Sequence, residues 1–173
     1  MDNKFIYVND KYQIDALNKD WIGLPVFFEN LPEEIKIKGD TFYFPTPFHI
    51  SLVYIGKIIE KYNISIPDFR DKIIDDFSNF TKTDNIEVIK YNNKYKLVSR
   101  DGINKTIVVM CEVSNLNNFF DFINKKYELN IKYPATHVTL YNTSKGKSGI
   151  WLMDEDDIKN ITVTIPNPIG RPL

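Results

Sequence analysis

FHISLVYIGK, residues 48–57, is the stretch whose reading decides the fold, and THVTLYN, residues 136–142, repeats its core. His49-Ile50-Ser51-Leu52 and His137-Val138-Thr139-Leu140 share one order: histidine, a β-branched apolar residue, a hydroxyl residue, leucine. The chain has only 2 histidines, and both stand in this pattern. Ser and Thr together fill 17 of the 173 positions and Leu fills 10. A chance match at both positions after both histidines therefore has odds of roughly one in thirty thousand, so the repeat carries meaning. Side chains alternate faces along a strand, which puts each histidine and its hydroxyl on one face, about 7 Å apart. Ile50, Leu52, Val138 and Leu140 then point to the opposite face, into a core. Two such strands facing across a cleft would gather two imidazoles and two hydroxyls around one small volume.

Outward from these strands the pattern is mixed. Residues 5–8 and 22–28 read as short strands, with a short helix over 11–19 between them. TFYF at 41–44 reads as a strand, and HISLVYI at 49–55 as a stronger one closed by Gly56. Pro67 opens a helix to about Phe80, with Phe69, Ile73, Ile74 and Phe77 at helical spacing. The runs 86–91 and 94–99 flank Asn92-Asn93 and suggest a tight hairpin. Residues 105–113 form a buried strand. Ser114 is placed to cap a helix that carries Leu116, Phe119, Phe120 and Ile123 on one face. Strands follow at 136–142, 149–153 and 161–165, with Asp154 capping a short helical turn. The expected class is α+β, with antiparallel sheets and helices on their outer faces, in one domain over residues 1–173 with no separate linker.

The paired motif suits phosphodiester cleavage. A neutral imidazole takes a proton from the attacking water or ribose hydroxyl, and a protonated one gives a proton to the leaving oxygen. Histidine suits both tasks because its reference pKa is about 6.5. The hydroxyls of Ser51 and Thr139 donate to phosphate oxygens as charge develops there. Two histidines are too few to hold a metal, and neither has a Cys or carboxylate cluster at ligand spacing. No metal and no cofactor is expected.

FHISLVYIGK and THVTLYN resemble the two signature motifs of the two-histidine phosphoesterase superfamily, in which His, any residue, Ser or Thr and an apolar residue occur twice. That superfamily includes RNA ligase-like and cyclic phosphodiesterase proteins, and phage enzymes that destroy cyclic oligonucleotide alarms. The resemblance implies a bilobal, pseudo-twofold fold with a central cleft. It also implies metal-independent chemistry on 2′,3′-cyclic phosphates or on 2′–5′ and 3′–5′ linkages. Carried over by position, His49 and His137 are the catalytic pair, and Ser51 and Thr139 bind phosphate.

Tyr141, two beyond Thr139, should share its face, either contacting phosphate or a base or standing as a strand tyrosine at the rim. Lys145 and Lys147 offer charge for an anion, although a solvated loop is the simpler account. Gly146-Lys147-Ser148 lacks the first glycine and the following helix of a phosphate-binding loop, so that reading is rejected. Trp151 and Phe48 are candidates for base stacking, with core or edge packing as the plainer role. The basic run Lys90, Lys94, Lys96, Arg100 and Lys105 reads as a wet face that could cover an anion. Asp154-Glu155-Asp156-Asp157 reads as a solvated helix start.

Composition bounds these readings. Hydrophobic residues are 43% and charged residues 26%, enough apolar content to build a core. With 22 Lys+Arg against 23 Asp+Glu, the net charge is −1, which argues against a globally basic nucleic-acid coat. The expected substrate is therefore a nucleotide or cyclic oligonucleotide, with an RNA end close behind. No apolar run is long enough to span a bilayer, and MDNKFIYVND lacks the order of a signal peptide. Cys111, the 1 cysteine, cannot build a disulfide framework, and with no export signal read this favours a cytoplasmic setting; lying in an apolar strand, it reads as inert core.

Overall fold

The computed structural model describes residues 5–45, 47–146 and 149–173. Lys147 and Ser148, weighed above as anion-binding or loop residues, and the first four residues of the window searched for an export signal lie outside them. Within the described residues the class is α+β: ten strands and four helices. The strands β1 (Phe5–Val8), β2 (Tyr12–Asp15), β3 (Ile22–Val26) and β6 (Phe48–Val53) build one half of a sheet. β9 (His137–Asn142), β8 (Thr106–Val113), β7 (Val88–Val98) and β10 (Thr162–Ile165) build the other. The order across the sheet is β1-β2-β3-β6-β9-β8-β7-β10. Every pairing is antiparallel. A hairpin of β4 (Glu34–Ile37) and β5 (Asp40–Tyr43) joins the end of β9, where Tyr43 pairs with Asn142.

The separate sheets expected to face one another across a cleft are thus one continuous sheet, with the two motif strands as central neighbours. Ile50 pairs with Val138, and both are fully buried. Placing β6 beside β9 satisfies the backbone groups that two facing edges would otherwise expose.

The apolar face of β6 and β9 shares one core with α1 (Ile55–Tyr62), α2 (Phe69–Phe80) and α3 (Leu116–Tyr127). Phe77 of α2 meets Tyr12 edge-on at 4.9 Å and Phe119 of α3 at 5.2 Å. Each fully buried aromatic of this kind contributes about 1.5–3 kcal/mol. A smaller cluster of Val98, Val108, Ala135 and Leu152, with Met110 and Ile158, lies on the opposite face. Ile158 belongs to α4 (Glu155–Ile161), so this helix sits apart from the other three. Asp154 caps α4 as expected, accepting from the Asp156 and Asp157 N–H groups at 3.0 and 3.4 Å. It is not solvated, however: it is buried and paired with Lys61.

Several elements differ from the sequence expectation for local reasons. Residues 12–15 are a strand because Asn9 and Asp10 adopt positive φ, and Lys11 N–H closes a tight turn on Val8 O at 3.2 Å. Asn92-Asn93 is no hairpin turn. It lies inside the continuous β7, where four steps from Tyr91 to Tyr95 face two from Cys111 to Val109. The local bulge absorbs the positive φ of Asn93. α1 begins directly after β6, so Gly56 opens a helix and does not merely close a strand. Ser114 is not the α3 cap. Its hydroxyl accepts from Glu87 N–H, and Asn115 stands at the helix start with positive φ. Residues 149–153 form no strand.

Candidate active site

Ile50 and Val138 are directly opposite one another. Antiparallel register carried one step each way sets His49 against Thr139 and Ser51 against His137. All four side chains therefore share one face, and each histidine is diagonal to the other, with about 7–8 Å between Cα atoms. An antiparallel pair has a local twofold axis, here through Ile50 and Val138. It relates His49 to His137 and Ser51 to Thr139.

The anchoring of the two rings repeats this symmetry. His137 Nδ1 donates to the carbonyl of Ala135 at 2.7 Å, two residues before it. His49 is hydrogen-bonded to the backbone of Pro47, also two residues before it. A carbonyl only accepts, so His137 carries its proton on Nδ1 and presents Nε2 as a lone pair. Burial lowers the pKa of both rings, that of His137 down to about 4. The Ala135 carbonyl opposes the shift at His137, and the charge of His49 adds to it, which records electrostatic coupling between the rings. No carboxylate acts on either ring among the described residues.

The surroundings of the two histidines differ. The Trp21 indole stacks on His49, with centroids 4.7 Å apart and planes 21° apart. Gly23 makes this possible, since a Cβ there would lie 2.0 Å from Trp21 Cζ3. His137 is only 4% exposed and lies beside Met110 on β8. Residues 149–153 run back along this side of the sheet as a strap. A Cβ on Gly149 would fall 2.2 Å from Thr139 Oγ1, so the backbone passes directly against that hydroxyl. Ile150 N–H donates to Thr106 Oγ1, and Arg100 donates to the Trp151 carbonyl.

Tyr54, immediately after β6, is hydrogen-bonded to the Ser51 side chain and the Leu152 backbone. Burial pushes its phenol up to about 12, so it keeps its proton. Tyr54 thus ties the Ser51 side chain to the Leu152 backbone of the strap.

Tyr141 does not share the Thr139 face. Thr139 pairs with Val108 and Tyr141 with Ile107, so one strand advances two residues while its partner advances one. This bulge turns Tyr141 into the main core, fully buried, where its hydroxyl donates to Pro32 O at 3.1 Å. Phe48 is also core. The Trp151 ring lies between Lys57 and Arg100, at 4.7 and 4.8 Å from its centroid. Lys145 lies over Tyr43. Most of the basic run is engaged: Lys90 with Glu112, Lys96 with Thr164, Arg100 with Asp157 and Lys105 with Asp40.

Trp21, Gly23, Tyr54 and Gly149 escaped the sequence reading. Trp21 and Gly23 do carry a trace of it, as a bulky and a small residue two apart at the start of a strand. Tyr54 and Gly149 carry none, because their roles depend on the strap folding back. No group of three or more His, Cys, Asp or Glu that could hold a metal ion occurs among the described residues. No described helix is long and apolar enough to cross a membrane. Comparison with protein-family models, curated proteins and solved structures finds no match to this chain.

Proposed function

We propose that the protein is a metal-independent phosphodiesterase of the two-histidine type, acting on a cyclic nucleotide or cyclic oligonucleotide. One observation carries this reading. Two His-x-Ser/Thr pairs lie on one face of adjacent central strands, with each ring anchored to the carbonyl two residues earlier. A phosphate over the local axis meets an imidazole on either side, as in-line displacement requires. One ring removes a proton from the attacking oxygen, and the other protonates the leaving oxygen. Ser51 and Thr139 donate to the equatorial oxygens. The two-residue offset also fits the signature motifs of the superfamily that the sequence resembles.

A small substrate fits the charge distribution better than a long RNA. Duplex or strand tracking needs uncompensated lysines and arginines along a path. Here Lys90, Arg100 and Lys105 are paired with carboxylates.

The test is hydrolysis of 2′,3′-cyclic nucleotides, 3′,5′-cyclic nucleotides, cyclic di- and trinucleotides and RNA with a cyclic phosphate end, followed by chromatography with chelator present. Turnover of a cyclic substrate is expected, and His49→Ala and His137→Ala should each lower it by about a hundredfold or more with the circular dichroism spectrum unchanged. Full activity in either variant overturns the reading. Binding without turnover would leave a nucleotide-binding module, and a preference for the RNA end would move the substrate to that class.

A further inference from the structure

The two motifs match, but their neighbours do not, and the difference lies at His49. We propose that Trp21 is a positioning residue that makes His49, not His137, the ring delivering the proton to the leaving oxygen. This inference rests on the phosphodiesterase reading and deepens it.

Trp21 lies parallel to the His49 imidazole, with centroids 4.7 Å apart. Gly23 provides the room for the indole, and Phe5 meets it edge-on at 5.9 Å. An indole face is electron-rich and attracts a cation, so it favours imidazolium over imidazole. Among the described residues no aromatic ring stacks on His137. Its ring is almost wholly enclosed, and its Nδ1 proton is committed to Ala135. His49 is anchored to a carbonyl in the same way, so what separates the rings is the indole on His49 and the tighter enclosure of His137, which disfavours its cationic form and suits a base. The charges bearing on the rings are simple. His137 is the titratable group coupled to His49, and no other acidic or basic group acts on either ring among the described residues. From the neighbouring strands His49 faces Trp21, and the preceding Asp20 is turned to Arg70 in an ion pair.

The step then balances. His137 Nε2 takes a proton from the attacking water as its oxygen bonds to phosphorus. The bond to the leaving oxygen breaks, and that oxygen takes the proton from the His49 ring nitrogen that is not bonded to Pro47. His137 ends protonated and His49 neutral, and exchange with solvent restores both.

The two histidines give two imidazole Hε1 signals, assigned by His49→Gln and His137→Gln, so proton NMR titration reads each ring in the free protein. His49 should titrate above His137. Trp21→Leu, which keeps bulk but removes the π face, should lower the His49 midpoint by about one unit. Trp21→Phe should restore most of it, and the His137 midpoint should stay put in both. On a cyclic nucleotide, Trp21→Leu should lower kcat more than it raises KM and shift the limb of the pH profile that reports the acid. A His49 midpoint below that of His137, or one unmoved or raised by Trp21→Leu, overturns the inference. If both midpoints rise together in Trp21→Leu, the residue is merely structural and the inference fails. Expected midpoints without any turnover would remove the phosphodiesterase reading and with it the acid role, while leaving the Trp21 effect on His49 measured.

Discussion

At the scale of single residues, burial does opposite things to similar groups. His137 is enclosed, and its pKa falls to about 4 from the usual 6.5, because an imidazolium there loses its water. Its neutral form is thus favoured in the fold. Between about pH 6.5 and 4 the unfolded chain binds the extra proton, so stability is complete above the upper value and declines as pH falls toward the lower. The difference corresponds to about 3 kcal/mol. Denaturant titrations across this window should show that loss, and His137→Asn should flatten that part of it. Cys111 shifts the other way, up to about 12, because burial disfavours its thiolate, which fits the inert core thiol expected from its apolar strand. Tyr141 separates structure from chemistry. Its hydroxyl serves Pro32, so Tyr141→Phe should cost about 1 kcal/mol in urea melts and leave kcat unchanged. A selective loss of turnover would return Tyr141 to the site. Tyr54→Phe should instead touch both, lowering kcat about tenfold because Ser51 loses the group that orients it, and costing about 1–3 kcal/mol because the Leu152 backbone loses its partner.

Elements that advertise themselves by period were legible in the sequence. β6, β8 and β9 alternate or run apolar, and α2 and α3 carry their aromatics at helical spacing, so their existence and the face bearing the histidines could be read directly. What could not be read was how neighbours meet. The bulge that removes Tyr141 from the Thr139 face is a property of the β8–β9 register, and no residue in THVTLYN encodes it alone. GIWLM has the composition of a strand. It remains a strap because its amides bond to side chains, Ile150 to Thr106 and Met153 to Asp157, instead of a partner strand. Gly149 brings this strap against the site. A methyl group there would meet Thr139 Oγ1, so Gly149→Ala must lift the strap or rotate the hydroxyl. The expected result is reduced turnover together with faster amide exchange at 150–153. Normal turnover with unchanged exchange would mean the contact is slack.

Across the whole molecule, a common core joins the two halves of the sheet. Tyr12, Ile50 and Phe77 from the first half share it with Phe119, Val138 and Ile123 from the second. Such sharing makes unfolding a single cooperative event. The tryptophans allow a direct check, because Trp21 lies in one half and Trp151 in the other. Single-tryptophan variants should report the same fluorescence midpoint in urea, and separated midpoints would divide the chain into two domains. The local twofold through Ile50 and Val138 reaches further than stability. A phosphodiester turned end over end on this platform would find the same donors and acceptors, with the attacked and departing oxygens exchanged. If the protein cleaves phosphodiesters as proposed, the choice between two unequal ester bonds then falls outside the repeated motifs, to the indole on one flank and the strap on the other. Under that proposal, exchanging those flanks, and not the histidines, should invert the regiochemistry of cleavage.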